Sequence, residues 1–283
     1  MMAWAEMEHR SGVLPLLAAF FAAPEPFAEV IAGRTRGALG LFTPAPEPGW
    51  GAAALAAEPV GGGALLHGEV RLPGAEAGGS IVLVRLPDAE YRLAWVSHDA
   101  PGVERRASRT GGPVPASGEG PCWLHLEGVF VGAGLLSRPV TLEPDGELAR
   151  HLVSYAGVWA ATAAHCAREG CRALRRAART AGFHTSQLVA LGITEVEIEA
   201  DLTAAAVRRA VPVDTGRLAV AAAAARTLSA VAAKAEEMRD VYGLDIDGPL
   251  AGAAAKSLIA FLGGPLLLEN ELARALGIQG AHA

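Results

Sequence analysis

Four acidic side chains, Glu195, Glu197, Glu199 and Asp201, alternate along a stretch whose apolar period is helical. Paired carboxylates can move protons or hold a cation. On a helix, residues two apart diverge, so only Glu195 with Glu199 and Glu197 with Asp201 are neighbours. Neither pair has a histidine beside it, and a solvated face is the favoured reading. One helix earlier, Arg172, Arg175, Arg176 and Arg179 form a basic patch. Such a patch can meet a partner's acidic face or a phosphate, but pairing with the acidic helix is the simpler outcome. Ser97-His98-Asp99 supplies a nucleophile, a base and an acid, yet consecutive residues cannot take up triad geometry. The three cysteines, Cys122, Cys166 and Cys171, are too few and too irregular for a disulfide framework and fit a reducing cytosol. Cys166 and Cys171 fall on different faces of a helix, and His165 beside them reads as packing and not as a metal ligand. No metal site is expected.

These groups must be positioned by a chain of 283 residues, 51% of them hydrophobic, with charge spread throughout and a formal net charge of −6. That is enough to bury a sizeable core in one large domain or two ordinary ones. Without a basic block, nothing attracts a phosphate backbone, and a nucleic-acid partner is not expected. The apolar run Val13–Ala23 has no basic residues leading into it apart from the mixed Glu6, Glu8, His9 and Arg10, and Pro15 interrupts it. It is far shorter than the roughly 20 residues of a membrane span. A buried helix is expected there, with no membrane association.

The first 36 residues read as short helices punctuated by Pro24 and Pro26. From Gly37 the pattern turns to short strands: Ala38–Phe42, Ala64–Leu72, Ser80–Leu86, Tyr91–Ser97, Val103–Thr110, Trp123–Val131 and Pro139–Glu143, with a Pro/Gly loop over Pro44–Gly51. Strands at this spacing predict a compact antiparallel sheet pair or barrel. From Asp145 the period is helical. A first helix runs to about Ala181, a second starts at Thr185 or Ser186 and stops before Pro212, and a third runs from Asp214 to Tyr242 with Gly243 as its stop. A fourth is expected from Asp247 to Gly263–Gly264 and a fifth from Pro265 to Gly277. The fold class is therefore α+β, with residual N-terminal helices over 1–36, a β-domain over 37–144 and an antiparallel helical bundle over 145–283. Abundant alanine lets the helices approach closely but buries little apolar area per residue. Part of the bundle's stability is thus expected to come from a partner or from self-association.

That order of elements, with several local segments, resembles the acyl-CoA dehydrogenase family from about residue 12 to 277. Leu41-Phe42-Thr43 before a Pro/Gly loop resembles the family's Ala-Leu-Thr-Glu-Pro segment. Gly61–Gly68 resembles its strand with a closing Asn-Gly, and Ser80–Leu86 its second hairpin. Pro101-Gly102-Val103 resembles a recurrent turn, and Leu126-Glu127-Gly128-Val129-Phe130-Val131 the strand leading out of its β-domain. Gly243, Pro249 and Ala253–Gly263 resemble the loop and helix that carry its catalytic site. The resemblance implies FAD as cofactor, an acyl-CoA thioester as substrate, and Thr43 and Gly243 as flavin-contacting positions.

The departures shape the functional expectation. About 36 residues stand where the family has a long N-terminal helical domain. Its Gly-x-Lys-x-Trp-Ile-Thr segment beside the flavin ring is replaced by Gly68-Glu69-Val70-Arg71-Leu72-Pro73-Gly74, without the aromatic or the hydroxyl. Its Gln-x-x-Gly-Gly-x-Gly loop is replaced by Arg239-Asp240-Val241-Tyr242-Gly243-Leu244-Asp245, which keeps one glycine. The catalytic carboxylate that should sit over the substrate's alpha carbon falls on Leu262 when Lys256 is aligned, with Gly263–Gly264 at the family's Gly-Thr and Ala253–Ala254 at its Arg-Asp. Leucine takes no proton. Glu269 and Glu271 are the candidates for a relocated base, although charges early in a terminal helix are ordinarily solvated. The implied protein is a cytoplasmic, non-catalytic subunit. Paired with a full-length acyl-CoA dehydrogenase-like chain, it would form a hetero-oligomeric FAD-dependent alpha,beta-desaturase. The Arg172–Arg179 patch is then available to a CoA or flavin phosphate. The alternatives are a flavin-free binding or assembly oligomer and an independent enzyme using Glu269 or Glu271.

Overall fold

The computed structural model describes residues 4–41, 55–72, 77–106, 122–143, 146–209, 215–244 and 246. The chain divides into two compact units, Met1–Tyr155 and Ala156–Ala283.

The first unit opens with helix α1 (Trp4–Glu8), a π-helical turn (His9–Val13) and helix α2 (Leu14–Phe20). Pro15 sits in the first turn of α2, where its missing N–H leaves no bond unmade. Val13, Leu16, Leu17 and Phe20 are buried, as expected for this run. A short 3₁₀ turn (Glu25–Phe27) and helix α3 (Ala28–Ile31) follow. They bring Phe27 edge-on to Phe21 and Trp95, with ring centroids 5.0 and 6.1 Å apart.

The strands are β1 (Gly37–Gly40), β2 (Leu55–Val60), β3 (Gly63–Leu72), β4 (Gly79–Arg85), β5 (Tyr91–Ser97), β6 (Val103–Arg106), β7 (Cys122–Gly132) and β8 (Leu136–Val140). They form one eight-stranded sheet, ordered β6-β7-β3-β2-β4-β5-β8, with β1 also on β4. Most pairs are antiparallel, but β4 runs parallel to both β1 and β2. Strand β4 is buried from Gly79 to Val84, which is why it reads as a continuous apolar run. Strands β3 and β7 alternate: Leu66, Val70, Leu72, Leu124 and Leu126 enter the core, while Glu69 and Arg71 point the other way.

Strand β2 was not anticipated. Its Ala-Ala-Glu-Pro interior lacks β-branched residues, and Pro59 argues against a central strand. The proline is tolerated because the ladder to β4 covers only Leu55 and Ala56 and has ended before it. Strand β8 starts three residues earlier than expected and carries Pro139 inside it, opposite Arg92.

Strand β1 has a parallel partner on one side only. On its other side, side chains substitute for a strand. Glu8 Oε1 accepts from Leu39 N at 2.8 Å, and His9 Nδ1 accepts from Gly37 N at 3.2 Å. Covering an edge in this way removes a pairing template.

Helix α4 (Glu147–Thr180) leads into the second unit, which continues with α5 (Gln187–Arg209) and α6 (Thr215–Tyr242). Gly182, at φ +78°, ends the run of α4, and Gly243, at φ +63°, ends α6. Around Gly243, the Gly243 N–H bonds Arg239 O at 2.9 Å and the Leu244 N–H reaches Met238 O at 3.4 Å. This is the glycine helix stop that the sequence predicts. The expected helices over 247–263 and 265–277 lie outside the described residues, as do the caps Asp145 and Asp214. Helices α5 and α6 pack through Val189, Ile193, Val196, Ala200, Ala221, Ala224 and Leu228, with a buried Thr203–Thr227 hydroxyl bond of 2.8 Å. Among the described residues, no helix is long and apolar enough to cross a membrane.

Candidate functional site

Two places bring polar groups together. The first is the outward face of β6-β7-β3. Register sets Glu69 and Glu104 on either side of His125, and Arg71 and Arg106 on either side of Trp123. His125 Nδ1 lies 3.4 Å from Glu69 Oε1, and Arg106 Nη1 lies 3.7 Å from the same carboxylate. Arg106 also donates to Glu104 at 2.6 Å, a bond that holds the guanidinium above and the carboxyl below its ordinary value. Two buried atoms here have no hydrogen-bond partner among the described residues: Arg71 Nε and His125 Nδ1. Burial pulls the Arg71 guanidinium downward from its ordinary value. Strand β3 carries Gly68–Leu72 of the segment that replaces the family's flavin-side motif; Pro73 and Gly74 lie outside the described residues. Leu72, at the position that resembles the family's aromatic, is fully buried in the sheet's core, so Glu69 and Arg71 are the side chains that this segment turns outward.

The second place is a pocket of about 150 Å³ in the second unit, where Arg175, Arg179, Phe183, Val189, Ile193 and Thr194 converge. Phe183 leans edge-on against Tyr242, centroids 5.4 Å apart. Of the expected basic patch, Arg175 bonds Glu197 on the acidic helix; Asp201 is reached at 2.9 Å by Arg168, which the patch did not include. Arg172 bonds Glu169 within its own helix. Arg179 makes no ion pair among the described residues and so offers an uncommitted cation beside an apolar floor.

Other groups serve the fold. The Ser97-His98-Asp99 run is no triad, but His98 has partners the sequence did not suggest. Its Nδ1–H donates to Ala77 O at 2.6 Å, and its Nε2 accepts from Ser80 Oγ at 2.7 Å. Burial pushes His98 down to about 4 and keeps it neutral. Ser80 is fully buried, so this hydroxyl–imidazole pair staples β4 to the end of β5 and meets no substrate. The three cysteines are buried and free, and burial pushes each thiol up to about 11, which leaves them unreactive. His165 is exposed, and no metal-holding cluster exists among the described residues.

Of the site positions expected from sequence, Thr43, Leu262, Glu269 and Glu271 lie outside the described residues. Gly243 is described: it stops α6, and a side chain there would meet nothing within 4 Å. Nothing in the sequence singles out Arg71 and Arg179 from their neighbours. Their distinguishing feature, having no partner, appears only when the strands and helices are assembled.

No family model matches the sequence, and no curated protein matches it. Solved structures do match, over nearly the whole chain. A chain of the ChsE4-ChsE5 complex from Mycobacterium tuberculosis is 20% identical with a TM-score of 0.70, covering 98% of this chain and 77% of that one. Glutaryl-CoA dehydrogenase from Mycobacterium smegmatis in complex with FADH2 is 15% identical with a TM-score of 0.74, covering 99% and 76%. Butyryl-CoA dehydrogenase from Megasphaera elsdenii is 16% identical with a TM-score of 0.69, covering 94% and 75%. The chain thus has the α+β fold of the acyl-CoA dehydrogenases.

FAD is the group this fold implies. Arg71 Nε is a buried donor in want of an acceptor, on the strand that the resemblance sets beside the flavin ring. Arg179 is an uncommitted cation at an apolar pocket. Both fit an aromatic, phosphate-bearing group. The pocket is smaller than the roughly 300–1,000 Å³ of a complete small-molecule site, so it suits a fragment of such a group, not the whole.

Proposed function

We propose that the chain is an acyl-CoA dehydrogenase-like subunit of a hetero-oligomeric FAD-dependent acyl-thioester desaturase, and that its partner, a full-length chain of the same fold, supplies the catalytic base. The observation that carries this reading is a likeness covering 98% of the chain to a chain of the two-protein ChsE4-ChsE5 complex. Leu262 at the expected base position supports the non-catalytic role. The same reading takes 1–36, 37–144 and 145–283 as residual N-terminal helices, β-domain and bundle, and locates the complex in the cytoplasm.

FAD, when bound, would supply the hydride acceptor for desaturation of the acyl thioester. This chain's part is binding. Arg71 Nε–H, unpartnered on β3, would donate to a polar edge of a bound group, and Arg179, at the rim of the Phe183 pocket, would neutralise a phosphate of FAD or CoA. The family resemblance would add Thr43 and Gly243 as flavin-contacting positions. Proton abstraction alpha to the thioester falls to the partner's carboxylate, because Leu262 has no basic atom.

The test is co-expression with a full-length acyl-CoA dehydrogenase-like chain, followed by the visible spectrum of the purified product. A one-to-one complex containing FAD supports the reading; no association with such a chain defeats it. If the chain purified alone is yellow and desaturates, and Glu269→Gln or Glu271→Gln abolishes that activity, it is an independent enzyme. A colourless oligomer that binds no acyl-CoA is the assembly protein.

A further inference from the structure

Helix α5 is apolar on more than one side. Val189, Ile193, Val196, Ala200 and Ala204 share one side and are buried. Glu197 and Asp201 are tied to α4 through Arg175 and Arg168. A third side carries large apolar residues in the open: Leu188, Leu191, Ile198 and Leu202 are 74%, 59%, 56% and 66% exposed. With Glu195 they fall at steps of three, four, three and four residues, the spacing of a single seam on a helix. The seam is about 21 Å long at a rise of ~1.5 Å per residue. A helix with this distribution is normally buried on each of its apolar sides, and an exposed seam of this kind marks an interaction surface.

The charges on the seam say which partner it fits. Glu195 stands at its midpoint, seven residues from Leu188 and seven from Leu202. Glu199 lies on the same side, one turn on, and neither carboxylate makes an ion pair among the described residues. A second copy of α5 covering the whole seam, parallel or antiparallel, sets Glu195 against Glu195. Two carboxylates in a dehydrated interface repel, and one must take up a proton or the seam must open. Sliding the copies apart to avoid this leaves Leu188 and Leu191 uncovered. An unlike helix that presents Lys or Arg at its midpoint covers all four apolar side chains and neutralises Glu195 in the same act.

We infer that the exposed seam of α5 is the docking surface for an amphipathic helix of an unlike chain, one that carries a basic residue opposite Glu195. This rests on the reading of the chain as one half of an unlike pair and names the surface through which the pair forms. Glu195 then acts twice, attracting the correct partner and discouraging self-pairing.

The probe is the chain itself with the charge reversed. The wild-type chain and its Glu195→Lys variant are each sedimented alone and then as an equimolar mixture. The expected result is association in the mixture about tenfold or more tighter than in either sample alone, because only the mixture sets a carboxylate against an ammonium across the seam. Ile198→Lys in the wild-type chain should abolish the gain. Circular dichroism confirms that both variants fold, which is expected for substitutions at exposed positions. If the wild-type chain self-associates as tightly as the mixture and Ile198→Lys breaks it, the occupant is a second copy and the inference is overturned. If Ile198→Lys changes nothing in either sample, the seam is no docking surface. None of these readings depends on flavin, so a failure here is distinct from failure of the desaturase proposal, which is read from absorbance and activity.

Discussion

Glu8 gives the sharpest prediction, because a buried carboxyl links the edge of the sheet to pH. It is almost fully buried beside the buried Tyr155 and accepts a hydrogen bond from Leu39 N. Burial pushes its pKa from 4.5 up to about 8, and the backbone bond offsets only part of that rise. Between those values the folded chain holds a proton that the unfolded chain has released. The contribution of Glu8 to stability is therefore full below about pH 4.5, falls as pH rises, and is gone above about pH 8. At ~1.4 kcal/mol per pH unit, the whole interval is worth about 5 kcal/mol, comparable to the entire stability of many domains. The buried histidines slope the opposite way. His98 is pushed down to about 4, and His9 lies below its ordinary value, so in acid the unfolded chain takes up their protons first. Their contribution is lost as pH falls below about 6.5, and in the wild type it masks Glu8 over that range.

Glu8→Gln isolates the carboxyl. Its amide oxygen still accepts from Leu39 N, and it never ionises. Urea unfolding followed by far-ultraviolet circular dichroism at about pH 5, 6, 7 and 8 should show the variant gaining on the wild type by up to ~1.4 kcal/mol per pH unit, while both share the histidine slope. Glu8→Leu also never ionises but removes the acceptor, so it should run parallel to Glu8→Gln and lie ~1–3 kcal/mol below it at every pH, because the Leu39 N–H is left unsatisfied. Parallel pH profiles for wild type and Glu8→Gln would refute the reasoning: Glu8 would then be solvated or already ionised in the folded chain.

Ser80→Ala should destabilise by ~1–3 kcal/mol, since it strands His98 Nε2 without a donor, and the histidine's proton NMR signals should shift as the bond is lost. Thr227→Val should cost a similar ~1–3 kcal/mol by orphaning the Thr203 hydroxyl, while the Thr203→Val/Thr227→Val pair should cost less than the sum of the single changes in a denaturation cycle. Gly243→Ala should cost about 1 kcal/mol through the left-handed backbone alone, measured by thermal unfolding. Arg71→Leu should leave stability equal or raised, because a desolvated guanidinium is removed, while lowering flavin retention in the co-expressed complex; unchanged retention would exclude Arg71 from the site.

The helices were legible because their signals are local. A left-handed glycine after Tyr242 and a 3.6-residue period each act within a few residues, so α4, α5 and α6 could be read directly, whereas Pro15, read as an interruption, sits in the first turn of α2. The antiparallel strands were legible for the same reason, by alternation between Gly or Pro boundaries. The two parallel ladders on β4 were not, because parallel pairing is decided by what covers each face, and β4's burial on both faces reads only as hydrophobicity. Strand β2 was invisible for a related reason: β3 pairs with it along most of its length and β4 only at Leu55 and Ala56, so an alanine-rich segment with a proline suffices.

Site chemistry divides along the same line. The pairing of Arg175 with Glu197 followed from charge and helix order, whereas Asp201 is met by Arg168, outside the patch read from the sequence. What sequence cannot express is which members of a charged set are left over. Arg71 Nε, Arg179 and Glu195 look like their neighbours until the strands and helices take their positions. The leftovers carry the functional argument. A charge that the fold has satisfied internally has little more to offer, whereas an unpartnered donor on β3, an unpartnered cation at a pocket and an unpartnered carboxylate in an apolar seam each call for something beyond the chain. The first two fit a phosphate-bearing aromatic group, and the third fits a basic residue on another helix. A subunit that shares its cofactor and completes its interface only with an unlike chain would show this set of unmet demands. A self-sufficient enzyme would have met the last of them within its own copies.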